Sequence, residues 1–132
     1  GNYDVDVRLI SPESLRIRSD STYDIKKNID FTESTKLEDH IDELDVLYVT
    51  RIQKERFPDE EEYLKVKGSY VVGEDLVNQM KDDSIILHPL PRIDEISTEV
   101  DKTKNAKYFQ QAEYGKYTRA TLLGLTLNEN GF

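Results

Sequence analysis

Arg51 stands in the run TRIQKER, residues 50–56, whose donors could hold an anion. A guanidinium offers a rigid planar fork that matches a carboxylate through two parallel hydrogen bonds, whereas a lysine offers only a point charge. Placed just past a strand, Arg51 suits a dicarboxylate. From these residues alone a solvated charged loop is the simpler reading of the same run. The second chemical stretch is IILHPLPRIDE, residues 85–95. Neither Pro89 nor Pro91 can donate a ladder hydrogen bond, so a strand entering the stretch must stop there. The carbonyls around His88, Pro89 and Leu90 are then left facing outward as rigid acceptors, at the strand end where open α/β sheets bind ligands. His88 by itself more often packs or caps than catalyses.

Other chemistries find no support. Gly68, Gly73, Gly115 and Gly124 form no G-x-G-x-x-G phosphate fingerprint. His40 and His88 are far apart with no metal-ligand spacing around either, so neither a metal nor a cofactor is expected. The 132 residues include no cysteine, which excludes disulfides and thiolate metal sites and suits a reducing, cytoplasmic setting. With 27 acidic against 18 basic residues the net charge is −9, so no nucleic-acid partner is expected. No apolar run approaches the roughly 18 residues of a spanning helix, and no membrane partner is expected.

The elements that must position these residues read as one domain of alternating strands and helices. A strand over 3–10 leads to Ser11 and to Pro12 at a first helical position. That helix is interrupted at residues 19–22, and Asp20 or Ser21 could cap a second piece through 25–28. A short strand follows over 29–33, then helical turns over 36–42 with Leu37, Ile41 and Leu44 recurring at three to four residues. DVLYVT, residues 45–50, is the clearest strand, and its composition suits burial on both faces. Residues 51–62 read as a mobile loop carrying Pro58 and an acidic run, with a short helix through Tyr63 and Val66 that Gly68 ends. An extended piece over 70–72 and a helix over 74–81, with Leu76, Val77 and Met80 inward, lead to the strand over 84–87. After an irregular 93–104, residues 105–127 form the longest helical segment, with Phe109, Ala112, Ala120, Leu123 and Leu127 along one stripe. The alternation predicts a doubly wound parallel α/β sheet with right-handed crossovers.

Three motifs, TR-x-QKER at 50–56, HPLPR-x-DEI at 88–96 and YF-x-Q at 108–111, together resemble the aspartate carbamoyltransferase catalytic chain, in the family's order and near its spacing. The resemblance covers essentially all of residues 1–132 and implies the C-terminal part of a Rossmann-like aspartate-binding domain, without its first strand and helix. It also implies the family's reaction, a step of de novo pyrimidine biosynthesis. The amine of L-aspartate attacks the carbamoyl carbon of carbamoyl phosphate, and the tetrahedral intermediate expels phosphate to leave N-carbamoyl-L-aspartate. By the same resemblance Arg51 grips the substrate's side-chain carboxylate, Gln53 contacts the same substrate, and Glu55 aims Arg51. Lys54 and Arg56 belong to the loop that closes over the site. The carbonyls of Pro89 and Leu90 accept from the carbamoyl amide and the attacking amine, next to a cis Leu90–Pro91 bond. His88, Arg92 and Glu95 support that loop, Arg92 and Glu95 as orienting and inter-domain charges with a surface-ion reading beside it. Arg119 reaches an acidic residue of the other domain. Here the acidic run 59–62 is one residue longer than the family's common form.

The S-T-R-T phosphate loop and the G-R-T-x-H-S segment do not occur, so the chain by itself is expected to be inactive and to need the N-terminal half of the catalytic chain. The family's other partners are two further copies in a homotrimer and, in some members, a regulatory subunit. Two alternatives stand beside this reading. An ornithine-type carbamoyltransferase carries a cysteine where this chain has Pro89, and a non-catalytic α/β binding module would keep the fold without the chemistry.

Overall fold

The computed structural model describes residues 4–17 and 29–127. The first predicted strand is β1, Val7–Ile10; Tyr3 and the capped piece expected over 20–28 lie outside the described residues. Pro12 opens only a 3-10 turn, Glu13–Leu15, in which the Leu15 N–H donates to the Pro12 carbonyl at 2.8 Å. β2, Phe31–Ser34, runs parallel to β1 with Val7 opposite Phe31 and Ile10 opposite Ser34. Over 37–43 the expected helix is a pair of hydrogen-bonded turns. The periodicity nevertheless marked the right side chains, since Leu37 and Ile41 are buried.

β3, Val46–Tyr48, and β4, Ile85–Leu87, form a second parallel pair, with Leu47 opposite Ile86. β3 is not buried on both faces as its composition suggested. Leu47 is buried, but Val46 and Tyr48, on the opposite face, are 49% and 54% exposed, because the described residues cover that face only in part. Isolated parallel bridges join Val72 to Ile96 and Ile86 to Ala106. Every strand pairing described is parallel, as the alternation predicted, and the ladders form two separate two-stranded pairs around one core.

Among the described residues three α-helices accompany them: α1, Glu60–Val66; α2, Glu74–Val77; and α3, Tyr108–Leu127. The acidic run that looked like loop is the start of α1. The Asp59 side chain accepts the Glu62 N–H at 2.8 Å, and Glu60, Glu61 and Glu62 fill the first turn, where carboxylates favour the helix dipole. Gly68, at φ +71°, ends this element as glycine does after a helix. α2 is shorter than the predicted 74–81, yet Val77 and Met80 point inward. The core centres on Ile86, Ile96, Val72, Val100 and Tyr108, all almost fully buried. Complete burial of such a side chain stabilises by about 1.5–3 kcal/mol, so these few positions hold β4 and the segments beside it in the core.

The stripe expected along 105–127 is not an inner face. Only Tyr108, in the first turn of α3, is buried. Phe109, Leu122, Leu123, Leu125 and Leu127 are more than half exposed, because past its first turns the helix has no element of the described residues beside it.

Candidate functional site

Three carboxyl strand ends converge on one open cleft of about 920 Å³. β1 delivers Ile10 to Leu15, β3 delivers Thr50 to Gln53 with Arg56 and Phe57, and β4 delivers His88 to Pro91. This is the end of a parallel sheet at which ligands bind. Of the residues singled out in the sequence, the cleft brings together Arg51, Gln53, Arg56, His88, Pro89 and Leu90. Lys54, Glu55, Arg92, Glu95 and Arg119 do not line it.

The loop after β4 is built on His88, which is 1% exposed. Its Nδ1 accepts the Leu90 N–H at 2.8 Å, which requires that nitrogen to be proton-free. Nε2 therefore carries the proton and donates to Glu95 Oε1 at 2.7 Å. The second Glu95 oxygen accepts the N–H groups of Ile93 and Asp94, each at 3.1 Å. Burial opposes the Glu95 charge, but its own N–H, those of Ile93 and Asp94, and His88 outweigh burial and hold the carboxyl below the usual range. The Leu90–Pro91 bond is cis, as expected. Leu90 sits at φ +47°, a region that branched side chains rarely occupy and that clusters at functional sites. Among the described residues no N–H donates to the carbonyls of His88, Pro89 or Leu90.

Arg92 and Glu95 are not surface ions. Arg92 makes a bidentate pair with Asp101, one arm at 2.7 Å, and Nη1 also reaches the Tyr108 hydroxyl at 3.1 Å. The Tyr108 hydroxyl donates to Asp101 in turn. Arg92, with Tyr108 beside it, draws the Asp101 carboxyl down against the cost of burial. Burial and that same carboxylate push the Tyr108 phenol up to about 12.

The opposite wall is ionic and exposed. Arg51 Nη2 donates to Glu55 at 2.6 Å, the pairing the motif implied, while Nη1 and Nε have no protein partner among the described residues. Gln53 and Arg56 bring to the cleft side-chain donors that have no partner among the described residues. Lys54 pairs with Glu60 at 2.5 Å, which raises the lysine and lowers the carboxylate. Phe57 packs edge-on against Tyr63, 5.7 Å between ring centres. Arg119 has no carboxylate partner among the described residues and lies back over Gly115.

Sequence reasoning missed the third wall. Ser11, Pro12, Ser14 and Leu15 line the cleft because β1 ends at Ile10, the same logic that located residues 88–91. Tyr70 also lines it, its hydroxyl donating to the Thr35 carbonyl at 2.8 Å, with burial raising the phenol. Among the described residues no group of three or more His, Cys, Asp or Glu is placed to hold a metal. No described helix is long and apolar enough to cross a membrane.

Residues 2–126 match the family model for the aspartate/ornithine carbamoyltransferase Asp/Orn-binding domain. The chain belongs to that carbamoyltransferase family. An aspartate carbamoyltransferase catalytic subunit from Nitrosopumilus maritimus is 90% identical over all 132 residues, and one from Cenarchaeum symbiosum is 74% identical. In each case this chain spans 43% of the relative's length. The catalytic subunit of M. jannaschii aspartate transcarbamoylase superposes with a TM-score of 0.80 at 48% identity, covering 95% of this chain and 40% of that one. The Trypanosoma cruzi aspartate transcarbamoylase in complex with carbamoyl phosphate and aspartate gives 0.79 at 31% identity, covering 89% and 40%. The carbamoyltransferase fold and the parallel α/β class read from the sequence therefore agree.

Proposed function

We propose that residues 1–132 are the C-terminal part of the aspartate-binding domain of an aspartate carbamoyltransferase, the enzyme that makes N-carbamoyl-L-aspartate for pyrimidine biosynthesis. The observation that carries this reading is one cleft lined both by the fork of Arg51 and by the loop at Pro89 and Leu90, where among the described residues Arg51 Nη1 and Nε lack a partner and the two carbonyls lack a donor. Aspartate's side-chain carboxylate takes the open edge of Arg51, helped by Gln53, while Glu55 holds the guanidinium from behind. The Leu90 carbonyl accepts from the attacking amine and the Pro89 carbonyl from the carbamoyl amide, which sets the two reacting groups against each other. The amine nitrogen then bonds to the carbamoyl carbon, phosphate leaves with the C–O bonding pair, and the proton released by the nitrogen passes to the departing phosphate. Lys54 and Arg56 ride on the segment that closes over the cleft, and His88, Arg92 and Glu95 hold the carbonyl loop.

Carbamoyl phosphate itself is bound by the N-terminal half of the catalytic chain, which is the partner required, within a homotrimer and in a cytoplasmic setting. Arg119, free of any described carboxylate, is the charge we assign to that half; a regulatory subunit would be a further partner. The test is a chimeric subunit in which this chain replaces the matching segment of the Nitrosopumilus maritimus relative. It is expected to form carbamoyl-aspartate and to ignore ornithine, whose ammonium would face Arg51. Turnover of ornithine, or none of aspartate, would overturn the reading.

A further inference from the structure

The YF-x-Q motif has no role in the cleft, yet its last residue is joined to it. On the outer edge of β4 the Ile86 N–H donates to the Asn105 carbonyl at 2.8 Å, and the Ile86 carbonyl accepts the Lys107 N–H at 3.0 Å. In a parallel ladder the next donor on that edge is the His88 N–H, and its acceptor would be the Lys107 carbonyl. That carbonyl is taken, because α3 begins at Tyr108 and the Gln111 N–H bonds it at 2.8 Å. The Gln111 side chain supplies the substitute: Oε1 accepts the His88 N–H at 2.8 Å. A backbone N–H can only donate, so this contact fixes which end of the amide faces β4. Nε2 then reaches the Tyr48 hydroxyl on β3 at 3.4 Å.

We infer that Gln111 is a positioning residue for the carbonyls of Pro89 and Leu90, acting through His88. Two hydrogen bonds lead from α3 to the residue held at φ +47°: Gln111 to His88, then the His88 ring to the Leu90 N–H. Without the first, His88 has a buried, unpaired N–H and its ring is no longer set for the second. For its effect on turnover the inference rests on the function proposed above.

Both parts are testable in the chimeric subunit with Gln111→Leu, which removes the acceptor, and Gln111→Glu, which keeps an oxygen there. Hydrogen exchange followed by mass spectrometry reads the loop directly. Pro89 and Pro91 have no N–H, so across 88–91 only His88 and Leu90 report. Gln111→Leu should speed their exchange at least about tenfold with other segments unchanged, and Gln111→Glu should restore it. The kcat for carbamoyl transfer should fall about tenfold in the leucine variant while KM for aspartate moves less than about threefold, with recovery in the glutamate variant. Unchanged exchange in Gln111→Leu overturns the inference whatever the activity does. Faster exchange with unchanged kcat overturns the link to catalysis. A parent chimera without activity defeats the functional reading alone, and the exchange measurement still decides whether Gln111 holds the loop.

Discussion

The wall of the cleft after β4 and the wall after β3 are built on opposite terms. In residues 88–95 the His88 ring and the Glu95 carboxylate find partners inside the protein, and Arg92 turns inward to Asp101. In residues 51–62 the pairs Arg51–Glu55 and Lys54–Glu60 lie in water, where an ion pair contributes little to stability. One wall offers backbone carbonyls held in place by buried bonds. The other offers cations whose present partners are weak enough for a stronger ligand to displace. On the function proposed above, ordering a substrate tightly and still admitting it calls for both kinds of wall.

The largest effect that could break this comparison is on ligand binding. Arg51→Ala in the chimera should raise the aspartate requirement by about 2–4 kcal/mol, roughly thirty- to a thousandfold, and leave that for carbamoyl phosphate within a few-fold. Steady-state kinetics with each substrate varied would show it, and equal effects on both would mean Arg51 is not the carboxylate's partner. On the inner wall the cost should appear as stability instead. Asp101→Ala strands Arg92 and the Tyr108 hydroxyl, and because the pair is partly open to water the loss should be about 1–2 kcal/mol, read as a lower urea midpoint.

Acid should separate the walls more finely. Asp101 and Glu95 are both held below their usual range, so each contributes stability that is present above the unfolded-state values near about pH 4 and is lost as pH falls through the folded-state values. Asp101→Asn should flatten the fall of the urea midpoint between about pH 5 and 2, even in high salt. An acid limb that strong salt abolishes would point to the exposed pairs instead. The smallest effect is dynamic. Amides in 51–58 should exchange faster than those of 93–96, and Lys54→Gln should change neither exchange on the inner wall nor the thermal midpoint. Equal protection of the two walls would end the comparison.

The sequence made the inner wall legible because its signals are chemical absolutes: two prolines must stop a strand, and the apolar run before them must be buried. The parallel α/β class was legible for a related reason, since Leu37, Ile41, Leu47 and Ile86 keep their spacing whether or not the turns between them close as helices. Burial on both faces of β3 and on the stripe of α3 was not. Composition reports what a side chain would prefer, and Val46, Tyr48 and Leu123 have the preference without a neighbour to satisfy it. The acidic run 59–62 was misread as loop because charge density masked Asp59 as a helix cap. Gln111 was illegible as a functional residue because its role arises from where a helix interrupts a ladder, which no local pattern records.

The bonds that hold the inner wall also have short reach along the chain. His88 to Glu95 spans seven residues, Arg92 to Asp101 nine, Arg92 to Tyr108 sixteen and His88 to Gln111 twenty-three. Loop closure becomes costlier as the closed segment lengthens, and chains rich in near-neighbour contacts reach their native pairing sooner. Residues 85–111 can therefore assemble as one unit before β3 arrives beside β4 or β1 brings residues 11–15 to the cleft. On that order of events the carbonyl loop is the template of the site, and the arginine-bearing wall is fitted to a surface that already exists.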